Sequence, residues 1–136
     1  MPVTVFGFIE GRTDVAQDVH NQQQLLALPK SGAYLTAHLF SFVPQSRGHA
    51  YYGSHIHFAT GCKEFYCLDD EWIVEFESLL SKLYWSDAEL IVTWSKERYL
   101  WVSNHSINTP SDAPNKIVGR SRFESAWNLK EILWNS

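Results

Sequence analysis

A chain of 136 residues, 45% hydrophobic and 15% aromatic, has the length of one ordinary domain and enough apolar side chains for a packed core, which excludes intrinsic disorder. Its formal charge of −4 argues against nucleic acid as the main partner, and no apolar run approaches the eighteen or so residues that span a bilayer. Two cysteines, Cys62 and Cys67, are too few and too close for a disulfide framework and suit a reducing compartment.

The opening, Met-Pro-Val-Thr-Val-Phe-Gly-Phe-Ile-Glu, has no positive lead and no small-residue cleavage site. It therefore reads as a strand over Val3 to Glu10, and the expected location is the cytoplasm. Gly11 breaks the strand. Thr13 or Asp14 then caps a helix running to about Leu28, with Val15, Val19, Gln22, Leu25 and Leu26 as its inward stripe. Pro29 and Gly32 end it. Residues 33–43 fit either a short helix around Leu35 to Phe40 or an irregular apolar strap over the core.

A polar loop, Pro44 to Gly53, leads into a strand at His55-Ile-His-Phe-Ala59. The next helix, about Asp69 to Tyr84, has the clearest periodicity of the chain. Trp72, Ile73, Phe76, Leu79, Leu80, Leu83 and Tyr84 form a core-facing stripe. Two strands follow, Ala88 to Trp94 and Arg98 to Ser103, joined by the polar turn Ser95-Lys96-Glu97 as a hairpin. Residues 104–115 are rich in Ser, Asn and Pro and read as a loop, with Lys116, Arg120 and Arg122 as a solvated basic group beyond it. The tail from Ser121 to Trp134, with Phe123, Trp127, Leu129, Ile132 and Trp134, fits either a helix or an extended segment, and the helix is preferred. No linker or repeat divides the chain, so residues 1–136 are expected to form a single domain. The expected class is α+β: an antiparallel sheet of about four or five strands with the main amphipathic helix packed on one face.

Chemistry is sparsely signalled. His55 and His57 share one face of a strand and would be close enough to share an ion. No further ligand follows at a metal-site spacing, so two histidines on a solvent-facing strand surface are the plainer reading. Cys62 and Cys67 lack an adjacent histidine. No phosphate-cradling loop, nucleophile elbow or dinucleotide fingerprint occurs. The chain is therefore read as non-catalytic, without a metal or cofactor. A small metal-dependent enzyme built on His55 and His57 is the alternative, and a sugar-binding module built on tryptophans is another.

The region from Glu64 to Ser81 carries six acids (Glu64, Asp69, Asp70, Glu71, Glu75 and Glu77) and no lysine or arginine. On a helical projection, Glu71, Val74 and Ser78 lie opposite the buried arc, Glu75 and Glu77 at its margins, and Asp69 and Asp70 extend the anionic rim. An exposed Val74 ringed by carboxylates is an apolar contact inside a charged border, the anatomy of a recognition patch for a basic partner. The competing reading is an ordinary solvated helix face.

Three stretches, Phe6-Gly-Phe-Ile-Glu10, Ile56-His-Phe58 and Trp72 to Trp85 ending Lys82-Leu-Tyr-Trp85, resemble small bacterial immunity proteins encoded beside polymorphic toxins, such as those of Rhs and type VI secretion systems. Among such proteins they look like the TriTu-like group. The resemblance implies a protein that neutralises a cognate toxin domain by blocking its active site. A TriTu-like likeness further implies an ADP-ribosyltransferase as that toxin. Nucleic acid and membrane are not expected partners.

Overall fold

The computed structural model describes residues 3–11, 13–30, 35–43, 54–62, 70–93, 95–105, 113–124 and 128–134. In chain order its elements are β1 (Val3–Gly11), α1 (Val15–Leu26), β2 (Phe40–Val43), β3 (Ser54–Cys62), α2 (Asp70–Leu80), β4 (Asp87–Val92), β5 (Arg98–Ser103), β6 (Ile117–Glu124) and β7 (Asn128–Trp134), with a 3-10 turn at Ala37–Leu39 before β2. The strands form one antiparallel sheet in the order β2-β3-β1-β4-β5-β6-β7. The class is α+β as the sequence predicts, with more strands than the four or five expected.

The extra strands come from two segments. The strap at 33–43 supplies β2, which pairs Phe40 with Phe58 and Phe42 with Ile56. The tail, where the helical alternative is preferred, instead takes the extended one as β6 and β7. Strand β5 offers β6 an unpaired edge, and ladder pairing from Arg98↔Phe123 to Ser103↔Ile117 satisfies backbone groups on both sides. That long-range gain outweighs the local spacing that suggested a helix. Lys116, Arg120 and Arg122 accordingly do not form a free basic loop, since Arg120 and Arg122 belong to β6.

Register sorts the sheet into two faces. Val5 and Ile9, Ile56 and Phe58, Ala88, Leu90 and Val92, and Trp101 line the covered face and are buried. Helix α2 lies over them, with Trp72, Phe76, Leu79 and Leu80 turned inward. Its contacts are mostly aromatic. The Phe76 ring lies 4.9 Å from Trp101, 5.3 Å from Phe58 and 5.3 Å from Trp72, centroid to centroid. Gly7 leaves room for this cluster: a Cβ there would meet the Phe58 ring at 2.9 Å and the Glu89 carbonyl at 2.0 Å.

Helix α1 is capped by Asp14 in a capping box with Gln17. Its orientation corrects the expected stripe. Asp18, Asn21 and Leu25 are buried, whereas Val15, Val19 and Leu26 are 62%, 49% and 70% exposed. The cause lies in the connection after α2, where Leu83 and Trp85 are buried and their backbone needs partners. The Asn21 amide donates to the Tyr84 carbonyl at 2.9 Å and accepts from the Tyr84 N–H at 2.8 Å. His20 Nε2 meets the Lys82 carbonyl at 2.8 Å, and the Thr13 hydroxyl donates to Asp18. These directional bonds fix the helix rotation, and only Leu25 of the predicted stripe reaches the core. From the other side, buried Asn115 accepts the Trp85 N–H at 3.0 Å and donates its own N–H to the Leu83 carbonyl at 3.0 Å.

Candidate partner-binding surface

Helix α2 begins at Asp70, whose carboxylate lies in the first turn with Glu71, where the helix dipole favours negative charge. Asp70, Glu71, Val74 and Ser78 are exposed, and Glu75 is half-buried. Val74 keeps 65% of its surface in solvent, between Glu71 and Glu75 on the same helix. Ser78 also lends its carbonyl to the Ser81 hydroxyl at 2.6 Å. Asp69 lies outside the described residues. The apolar centre and most of its acidic rim thus come together on one helical face.

Glu77 does not belong to that face. Its carboxylate accepts the Trp101 indole N–H at 2.9 Å and the Arg120 guanidinium at 3.1 Å. Both ion-pair side chains are less than one-third exposed. Glu77 therefore turns towards β5 and β6 and pins the helix to the sheet, a positioning role rather than a contact role. Beside it, Glu97 accepts from Arg122 at 2.9 Å and from the Tyr99 hydroxyl at 3.1 Å, while the Arg122 guanidinium lies 5.6 Å from the Tyr99 ring centroid. Burial, reinforced by the Glu97 carboxylate and opposed by Arg122, pushes the Tyr99 phenol up to about 12. The basic residues of β6 are thus used internally, in acid–base pairs with α2 and the β4–β5 turn.

His55 and His57 lie on the opposite face of the sheet, with ring centroids 5.2 Å apart. His55 stacks on Phe8 at 5.7 Å, and its Nδ1 is 3.8 Å from a Glu10 carboxylate oxygen. Partial burial lowers the His55 pKa from its ordinary value, with Glu10 opposing and His57 reinforcing the shift. Among the described residues no group of three or more His, Cys, Asp or Glu side chains is arranged to hold a metal ion. The Trp72, Trp85 and Trp101 side chains are buried, so none of these three supplies an exposed sugar platform.

This second sheet face carries apolar side chains that the sequence reading passed over. Register aligns Ala59, Phe6, Ile91, Arg98 and Phe123 in one row, and His57, Phe8, Glu89, Leu100 and Ser121 in the next. Phe6 is 41% exposed. Arg98 pairs with Glu89 and lies 5.6 Å from the Phe123 ring centroid, so the charges of these rows are largely matched. The available signal was β1 itself, where Phe6 and Phe8 alternate with Val5 and Ile9 and make both faces apolar. No helix among the described residues is long and apolar enough to cross a membrane, which says nothing of membrane β-barrels. No family model matches the chain, and no curated protein or solved structure is significantly similar to it.

Proposed function

We propose that this chain is a non-enzymatic immunity protein that acts in the cytoplasm by capping the catalytic domain of a cognate antibacterial toxin. Its partner presents a basic surface to Asp70, Glu71 and Glu75, with Val74 entering an apolar depression between the cations and Ser78 adding a hydroxyl contact. The observation that carries this reading is Val74, 65% exposed between carboxylates on a helix held against the sheet by Glu77. A pre-positioned helix loses little conformational freedom on binding. Its negative rim speeds encounter with a cationic partner and disfavours anionic ones. Inhibition of this kind buries about 1,200–2,000 Å² in total, so neighbouring segments join the helix in the contact. The resemblance to TriTu-like immunity proteins supplies the class of toxin, an ADP-ribosyltransferase.

The test is charge reversal, Glu71→Lys with Glu75→Lys, assayed against the toxin domain encoded by the adjacent gene. Glu77 is left intact because it holds Arg120. Expected are binding weakened at least tenfold and loss of protection in cells expressing the toxin. Unaltered binding and protection would show that this face is not the contact.

A further inference from the structure

The outward stripe of α1 differs in character from the acidic face of α2. Val15, Val19, Gln22 and Leu26 follow the 4-3-4 spacing of a coiled-coil seam. All four are exposed. The positions flanking the seam on its solvent side, Ala16 and Gln23, are also exposed and uncharged. The one carboxylate within the helix, Asp18, is buried on the other side with the Thr13 hydroxyl. A solvent-facing helix surface ordinarily carries charge; this one shows none along a length of about 18 Å.

We infer that this seam is a self-association surface, on which a second copy of the chain docks its own α1 antiparallel about a two-fold axis. The spacing is self-complementary under that operation: Val15 of one copy meets Leu26 of the other, and Val19 meets Gln22, each contact occurring twice. Neutral flanks leave no like-charge repulsion between identical faces, whereas a charged partner would find nothing on the stripe to pair with. Small Ala16 lets the two helices approach. A contact of about three turns per copy stays below the roughly 1,200–2,000 Å² of standard interfaces, so the dimer is weak and forms at micromolar or higher concentration. Gln22 sits at the central layers, where one polar residue fixes register at a cost in affinity.

Sedimentation equilibrium of the full chain between about 5 and 500 μM tests the inference, and no toxin is needed. The expected result is a concentration-dependent shift from monomer to dimer. Val19→Glu with Leu26→Glu should abolish the shift while far-UV circular dichroism and melting temperature stay near those of the parent. Gln22→Leu should move the midpoint at least tenfold lower in concentration, a gain that a damaged fold does not mimic. A parent chain that is monomeric throughout the range overturns the inference. So does a dimer indifferent to all three substitutions. Because α2 is untouched, loss of dimerisation with toxin binding retained, or the reverse, separates the two surfaces.

Discussion

Helix α2 turns Trp72, Phe76, Leu79 and Leu80 into the core and leaves acids and one valine outside, while α1 turns Asp18 and Asn21 inward and leaves Val15, Val19 and Leu26 in solvent. The two helices are similar in length and lie in one small protein, yet opposite forces set their rotation. Under α2 lies a broad apolar sheet face, so area burial decides, at roughly 25 cal/mol per Å². Beside α1 lies the backbone of the 83–85 connection, whose polar groups require partners, and two bonds from one asparagine decide. Leaving a buried peptide group unpaired costs about 1–3 kcal/mol, comparable to fully burying one valine. Directional bonding can therefore override the apolar stripe where the neighbouring surface is backbone.

Substitutions that interchange these forces test the contrast. Phe76→Ala, at the centre of the aromatic cluster, is expected to cost about 3–5 kcal/mol by urea unfolding. Asn21→Ala should cost about 2–3 kcal/mol by orphaning the Tyr84 peptide groups, and should speed proteolysis near α1 more than near α2. A loss below about 0.5 kcal/mol would mean that α1 is not held by these bonds. Glu77→Gln keeps a hydrogen-bonding oxygen but removes the charge facing Arg120. It should cost about 1 kcal/mol and alter the near-ultraviolet dichroism of Trp101.

The smallest expected effect is pH-dependent. The His55 pKa lies below 6.5 in the folded chain, so the unfolded state takes up its proton first as pH falls. Stability should therefore decline below about pH 6.5 and level off beneath the folded value. Urea midpoints measured from pH 7.5 to 5.0 should show this slope, and His55→Gln should flatten it. A slope unchanged by that substitution would place its origin elsewhere.

Local patterns made some elements legible in the sequence. The spacing of Trp72, Phe76, Leu79 and Leu80 gave the buried side of α2, and alternation around Ile56 and Phe58 gave β3. The polar break at Ser95-Lys96-Glu97 gave the β4–β5 hairpin. What stayed hidden depends on distant partners. Asn21 finds Tyr84 across 63 positions, and Glu77 finds Arg120 across 43. Nothing near either residue announces the bond, so α1 was expected with the wrong side inward and Glu77 among the contact residues. The tail was ambiguous for the same reason. Its spacing admitted a helix, and the exposed edge of β5 made it a strand. On the proposed contact face, the exposure of Asp70, Glu71, Val74 and Ser78 was legible because helical geometry alone places them away from the core.

Calorimetric titration of the proposed partner, a toxin domain encoded beside this gene, into the parent chain and into Val74→Glu tests the proposed contact face most directly. Val74 is largely in solvent, so the substitution leaves folding intact while putting a fourth carboxylate where the proposal requires an apolar contact. One-to-one binding by the parent, weakened at least a hundredfold in the variant, is the expected result. Equal affinities for the two proteins would contradict the assignment of this helix face as the surface that meets the toxin.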